Sequence, residues 1–252
     1  MHSDVRRAFM LGKKYSSIND TSKALDYYEK ALLKAKETEN KAAAPIIYME
    51  VAKIYDDHDL LPQALTLYNK AISGSDNSKL KSKAHYSMAK IYDDSMQFQP
   101  AMEHYFSAIG YAGQDDNFKR QTNSLINIGN MYADKYHVED AKSYYELAQQ
   151  ISTETKNNMF SGNIYKKTAN KMTELNEPKT ALDYYKNSSY YFDKTDDKTT
   201  LAQNYEKSSE LMIQLGNRAK AKSLLKKAHN IYKQDNNAEA MFSIEKQLLK
   251  IG

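Results

Sequence analysis

Small and apolar residues recur along the chain at the spacing of one face of an α-helix. In six segments an alanine is followed four residues later by an aromatic residue or leucine, and three residues after that by alanine or serine. The segments begin at Ala24, Ala64, Ala101, Ala141, Ala181 and Ala221. Because positions i, i+4 and i+7 share a helix face, each segment predicts a helix whose small residues let a second helix pack closely.

A second periodic segment lies upstream of each alanine. These segments read "AFMLGKKY", "YMEVAKIY", "YSMAKIY", "LINIGNMY", "YKKTANKM" and "YEKSSELM". Short polar joints such as "SINDTSK" and "TELNEPKT" follow them, and the Asn, Asp and Pro residues of these joints interrupt helices. Each unit therefore predicts a first helix, a turn and a second helix.

The units recur at a nearly constant period. The steps between the six alanines are 40, 37, 40, 40 and 40 residues, and such self-similarity is typical of repeat architectures. We expect an all-α fold of six helix-turn-helix repeats within residues 4–236. The repeats cover about 4–38, 44–78, 82–115, 122–155, 162–195 and 202–235. Residues 237–252 are apolar on one side and predict a C-terminal closing helix over the last repeat.

Composition supports this fold and narrows the function. The 8 glycines and 4 prolines are too few for an all-β protein with many tight turns. Charged residues make up 27% of the chain, and both signs are intermixed around a net charge of +4, which disfavours nucleic acid as a partner. No apolar run is long enough to span a bilayer, and the N-terminus lacks the apolar core of a secretory signal. We therefore expect a cytoplasmic protein without membrane insertion.

Recognisable catalytic motifs are missing from the sequence. It has no cysteine, which excludes thiolate nucleophiles and cysteine-based metal sites. Its 6 histidines form no HExxH motif, and no glycine-rich phosphate loop is present. The prediction is that the protein is not an enzyme and uses no metal and no cofactor.

The repeated segments resemble the tetratricopeptide repeat (TPR) family. Its repeat has a bulky residue, Leu-Gly and Tyr in the first helix, and Ala, an aromatic residue and Ala in the second. The fourth unit matches best, at Leu125, Ile128, Gly129, Tyr132, Ala141, Tyr145 and Ala148. The fifth and sixth units depart from the pattern at Met172 and Met212, and the usual proline after the second helix is missing in all six. The likeness covers residues 4–235 and fits the longer variety of repeat.

The resemblance implies a right-handed superhelix whose inner groove is lined by the first helices and binds an extended peptide or a helix of another protein. Candidate groove residues are those on the first helices that the packing pattern leaves free. They are Lys53, Lys83, Tyr86, Lys90, Asn123, Asn127, Asn130, Asn163, Lys167 and Asn170. An asparagine amide both donates and accepts hydrogen bonds, so these asparagines suit the backbone of an extended chain.

Two simpler interpretations of the candidate residues stay open. The asparagines are surface residues that only contact water, and Lys53 and Lys90 are neutralised by Asp57 and Asp94, each four residues further along the helix. In the groove interpretation, replacing Asn127 and Asn130 together with alanine weakens partner binding and leaves thermal stability unchanged.

The sequence thus predicts a non-enzymatic protein-interaction module or scaffold that holds a protein or peptide segment. The run "SLINIGNMY" is also similar to the inner helices of bacterial Rap-type regulators, so a signal-peptide receptor is an alternative. A third alternative, a vesicle-fusion adaptor, is based only on the similar architecture of soluble NSF attachment proteins. The first repeat begins near Met1 with no capping element, which predicts a fragment or self-association through the N-terminal repeat.

Overall fold

The computed structural model describes residues 2–135 and 137–251. Tyr136, inside the fourth expected repeat, Gly252, at the end of the expected closing helix, and Met1 lie outside the described residues. Along the described residues the chain forms thirteen helices and no strand, which confirms the all-α prediction. The helices are α1 (Ser3–Ser17), α2 (Thr21–Glu37), α3 (Ala43–Asp57), α4 (Leu61–Ser73), α5 (Ser78–Asp94), α6 (Phe98–Gly113), α7 (Phe118–Asp134), α8 (Val138–Glu154), α9 (Asn158–Glu174), α10 (Pro178–Phe192), α11 (Lys198–Gln214), α12 (Arg218–Gln234) and α13 (Ala238–Ile251).

The same type of turn ends the first helix in five of the helix-turn-helix repeats. A residue with positive φ stands at each of these turns, namely Asn19 (57°), Asp59 (58°), Met96 (58°), Asn176 (55°) and Gly216 (76°). The next backbone N–H bonds to a carbonyl five residues earlier, as from Asp20 to Tyr15 at 3.0 Å and from Leu60 to Tyr55 at 2.8 Å. These bonds satisfy carbonyls at the helix end and reverse the chain into the second helix.

The chain divides into two compact units, Met1–Ser124 and Leu125–Gly252. In the first unit α1 packs on α2, α3 on α4 and α5 on α6, and α3 also contacts α1 and α5. The repeat alanines Ala24, Ala64 and Ala101 have no exposed surface. A Cβ atom at Gly12 would lie 2.7 Å from the ring of Tyr28, so the small residue is required for this ring to pack against α1.

The second unit repeats the same packing. Here α10 contacts α9 and α11, and α12 contacts α11 and α13. Tyr145 and Tyr185 are buried, and a Cβ atom added to Gly129 would overlap the ring of Tyr145. Ile244 of α13 is fully buried in a cluster with Leu225, so α13 covers apolar surface of α12. Throughout the described part of the chain, no helix combines the length and apolar character needed to cross a bilayer.

Candidate functional site

The ten predicted groove residues lie on first helices in both units. In the first unit they are Lys53 on α3, Lys83, Tyr86 and Lys90 on α5, and Asn123 on α7. In the second unit they are Asn127 and Asn130 on α7, and Asn163, Lys167 and Asn170 on α9. Lys53, Lys90, Asn163, Lys167 and Asn170 are exposed, whereas the other five are half-buried.

In the first unit, the charges of several basic side chains act on Lys83. Its Nζ lies 3.9 Å from Oε1 of Glu50, which is longer than a hydrogen bond. Burial is the main reason that the pKa of Lys83 is lowered; Glu50 opposes the shift, while the charges of Lys53, Arg120 and Lys13 add to it. Removal from water and neighbouring positive charges both disfavour the protonated amine. Among the charges that act on Lys83, positive ones therefore outnumber negative ones.

Arg120 completes this group of cations. It lies at the start of α7, is half-buried, and donates from Nη1 to the Ser82 hydroxyl at 3.4 Å. Burial lowers its pKa, against the attraction of Asp115. The sequence prediction missed Arg120 because it considered only residues at fixed offsets from the small position of the first helix. The signal in the sequence is the basic pair Lys119 and Arg120, which follows Phe118 after the polar connector "GQDDN".

A cavity opens beside Lys83, between α3, the connector from α4 to α5, and the start of α5. Its volume is about 590 Å³. Its apolar lining comes from Ile46, Met49 and Leu80, and its charged lining from Lys41, Lys79, Lys83, Glu50 and Asp76. Met49 is buried and Ile46 is 39% exposed, so the apolar wall is reachable from solvent. The first unit thus has an apolar cavity with lysines at its rim.

The simpler interpretation, in which Lys53 and Lys90 pair with the aspartates four residues on, is not seen among the described residues. In that part of the chain neither lysine has a carboxylate within 4.0 Å. The positive charge of Lys90 nevertheless acts to lower the pKa of Asp56. Burial raises the pKa of Asp56, and the hydrogen bond that Asp56 accepts from the Tyr68 hydroxyl at 3.2 Å opposes this shift. The acidic ends of these helices therefore bond to core tyrosines.

The core tyrosines use different acceptors in different repeats. The hydroxyls of Tyr68 and Tyr105 donate to Asp56 and Asp93, at 3.2 and 3.1 Å. Each aspartate stands four residues after the small residue of its first helix. The structure thus gives a pairing between a buried tyrosine and a carboxylate that the periodic pattern did not predict.

In the second unit an asparagine replaces this carboxylate. The hydroxyl of Tyr145 donates to Oδ1 of Asn130 at 2.7 Å, and that of Tyr185 donates to Oδ1 of Asn170 at 2.6 Å. Both asparagines directly follow the small residue and lie 15 positions before their tyrosine. Their carbonyl oxygens support the core, so their amide nitrogens are the groups that can donate to a ligand.

This pairing changes the sequence-based expectation for Asn130, because its removal withdraws the hydrogen-bond acceptor of a buried hydroxyl. Asn163 also differs from the expectation, since its amide nitrogen donates to the backbone oxygen of Met159 at 2.8 Å. In the first repeat Ser16 stands where Asp56 and Asp93 stand in the next two. There the buried hydroxyl of Tyr28 has no hydrogen-bond partner among the described residues.

Two histidines meet between α5 and α6. Nδ1 of His85 lies 2.9 Å from Nδ1 of His104, and the rings of Tyr111 and Tyr92 stack on them. Burial is the main reason that the pKa of His85 is lowered to about 4, and burial also lowers the pKa of His104. Both imidazoles are therefore neutral at pH 7, and one of them donates to the other. Residues 2–135 and 137–251 contain no group of three or more His, Asp or Glu side chains that could hold a metal ion.

The sequence matches no protein-family model and no curated protein. Its structure is similar to several solved structures at low sequence identity. Aspartyl phosphate phosphatase F from Bacillus subtilis has a TM-score of 0.66 at 14% identity, over 98% of this chain and 70% of that one. A Rap protein complexed with competence and sporulation factor has a TM-score of 0.55 at 15% identity, over 98% and 74%. TPR-like repeats assigned to a Podospora anserina kinesin light chain have a TM-score of 0.55 at 14% identity, over 76% and 95%. The chain therefore has the TPR-type helical repeat fold, as the sequence predicted.

Proposed function

We propose that the protein is a non-enzymatic interaction module that binds an extended peptide or protein segment on the first-helix faces of its repeats. The observation that carries this proposal is the cavity of about 590 Å³ on α3 and α5, since its size and mixed lining are those of ligand pockets. The exposed cations Lys53, Lys90 and Lys167 and the amides of Asn130 and Asn170 extend the polar contact surface within each unit.

The proposal is tested with a peptide selected from a random phage-displayed library on the full chain. The peptide carries an amine-reactive ester at one end, and the lysines it modifies are identified by mass spectrometry. We expect modification of first-helix lysines, namely Lys53, Lys83, Lys90 or Lys167. Lys30, Lys70 and Lys186 are matched controls because they are exposed on second helices. Modification concentrated on these three would refute a first-helix binding surface.

A signal-peptide receptor of the Rap type is the second candidate function. The likeness to a Rap protein complexed with competence and sporulation factor favours it, over 98% of this chain. A receptor that changes shape on binding should compact, whereas a scaffold keeps its dimensions. Small-angle scattering with and without the selected peptide separates the two. A fall in the radius of gyration on saturation supports the receptor, and an unchanged radius supports the scaffold.

The remaining parts of the proposal concern location and assembly. We place the protein in the cytoplasm, with proteins or peptides rather than nucleic acid as partners. Self-association through the N-terminal repeat is also proposed, since Met10 on α1 is 54% exposed. Sedimentation at several protein concentrations tests this, with Met10→Lys as the variant. A mass that stays that of one chain at all concentrations would rule it out.

A further inference from the structure

Three lysines line the cavity of the first unit, and three more cations act on one of them, Lys83. The cavity lining and the charges that act on Lys83 and Arg120 together include six cations and three carboxylates among the described residues. The cations are Lys13, Lys41, Lys53, Lys79, Lys83 and Arg120, and the carboxylates are Glu50, Asp76 and Asp115. The whole chain has 36 basic and 32 acidic residues. Among these groups cations outnumber carboxylates by two to one, whereas the two signs are nearly balanced in the whole chain.

The two central cations keep donors for a ligand. Lys83 has three N–H donors, and its nearest carboxylate, Glu50, lies beyond hydrogen-bond distance at 3.9 Å. Arg120 has five N–H donors, of which one contacts Ser82 at 3.4 Å. Both side chains are half-buried, so water screens their charges less than those of exposed lysines. A carboxylate placed here would relieve the repulsion that the neighbouring cations exert on Lys83.

The cavity beside these cations has a different chemistry. Ile46, Met49 and Leu80 give it an apolar wall that an aliphatic side chain can fill. Burial of a Leu or Ile side chain contributes favourable free energy, while the lysine rim supplies attraction for a neighbouring negative charge. The two features lie side by side, because Lys83 belongs to the cavity lining and to the cation group.

We propose that the first-helix face of the unit Met1–Ser124 selects acidic peptide segments, with an aliphatic side chain in the cavity lined by Ile46, Met49 and Leu80 and a neighbouring carboxylate against Lys83. This inference rests on the proposed function as a peptide-binding module and names the class of peptide that the module takes. The six cations favour a peptide with acidic side chains, because the charges are complementary. The apolar cavity favours an aliphatic residue next to the acidic one.

The test begins with the composition of the selected peptides. Random peptides displayed on phage are selected on the wild-type chain, and we expect the enriched sequences to carry Asp or Glu within a few residues of Leu, Ile or Met. The best peptide is then synthesised with a fluorophore, and its Kd is measured by anisotropy. A second peptide, with Asn and Gln in place of Asp and Glu, is the matched ligand control and should bind at least tenfold more weakly.

Three variants separate the local cluster from overall charge. Lys83→Gln should raise the Kd about tenfold, because it removes a half-buried charge-assisted hydrogen bond. Glu50→Gln should lower the Kd severalfold, because the carboxylate closest to Lys83 among the described residues no longer competes with the ligand. Lys30→Gln on α2 removes the same charge from an exposed position and should leave the Kd within about twofold. Unfolding midpoints equal to the wild type show that each variant is folded.

The outcomes distinguish this inference from the proposed function. If no peptide is enriched on the folded chain, both fall. If enriched peptides modify first-helix lysines but lack acids, or bind Lys83→Gln as tightly as the wild type, the proposed function stands and the acidic class is overturned. If an oligothymidine of twelve nucleotides binds more tightly than the acidic peptide and depends equally on Lys83, the face is a nucleic-acid surface and the inference is also overturned.

Discussion

The hydrogen bond between Tyr145 and Asn130 leads to a stability prediction that the sequence pattern alone would not give. Asn130→Ala should lower the free energy of unfolding by about 1–2 kcal/mol, because the buried Tyr145 hydroxyl loses its acceptor. The bond is 2.7 Å long, which is optimal for O–H···O. Asn130 is half-buried, so in the alanine variant water partly replaces the lost acceptor. The loss of stability is therefore smaller than the largest values for fully buried groups.

A double-mutant cycle measures this bond directly. Tyr145→Phe alone should cost about 1 kcal/mol, and adding it to Asn130→Ala should cost little more, since the hydroxyl that lacked a partner is gone. Urea unfolding followed by circular dichroism gives the four free energies, and the urea dependence must stay constant across them. Additive losses would show that the two side chains do not interact and would refute the assignment.

Tyr28→Phe provides the matched control at the same repeat position. The Tyr28 hydroxyl is buried without a partner among the described residues, so its removal should leave stability unchanged or raise it by up to about 1 kcal/mol. The same chemical change is therefore predicted to lower stability in the fourth repeat and not to lower it in the first. If Tyr28→Phe costs as much as Tyr145→Phe, ring packing accounts for both effects and the hydrogen bond for neither.

Three further predictions concern packing and pH. Gly129→Ala should destabilise the protein by about 1–3 kcal/mol, because the added methyl group overlaps the ring of Tyr145. Gly110→Ala should stabilise it by up to about 1 kcal/mol, because a Cβ atom there meets nothing within 4 Å. Thermal unfolding compares the two variants. Ala181→Leu should cost about 1–3 kcal/mol in the same assay, because its site has no exposed surface, and a neutral result would contradict tight packing. His85 takes up a proton at a higher pH in the unfolded chain than in the folded chain. The free energy of unfolding should therefore fall by on the order of 1–3 kcal/mol as pH drops from about 6.5 to about 4. His85→Phe should flatten that decline, and an unchanged slope would assign it to other groups.

The repeat architecture was predictable because it depends on residues that recur at a helical period. Ala24, Ala181 and Tyr185 are buried as their spacing predicts, since periodicity alone decides which face of a helix points inward. The residue classes at these positions also fix how closely helices approach, as Gly12 and Tyr28 show.

The polar contacts were not predictable to the same degree. Periodicity places Asn130 and Lys53 at equivalent positions of their helices, yet the first accepts a hydrogen bond from a core tyrosine and the second is exposed. In the second repeat the tyrosine instead donates to Asp56, which lies one turn further along the helix than Lys53. The choice of acceptor also depends on distances between helices, which a pattern of residue types does not contain. Arg120 was missed for a related reason, because it lies outside the offsets that the pattern compares, and its contact with Ser82 on α5 depends on the same distances.

The tyrosine acceptors link the chemistry of the binding faces to the stability of the core. In the second and third repeats an aspartate accepts the hydrogen bond of the core tyrosine, and a lysine follows the small residue of the first helix. In the fourth repeat Asn130 follows the small residue and also accepts the hydrogen bond of the tyrosine. Converting Asn130 to lysine would therefore call for a carboxylate at Ala133, which has no exposed surface, and an ionised group there is costly. An engineer who wishes to extend the basic surface along the repeats must redesign the interior as well, because here ligand preference and core hydrogen bonding are not separable traits.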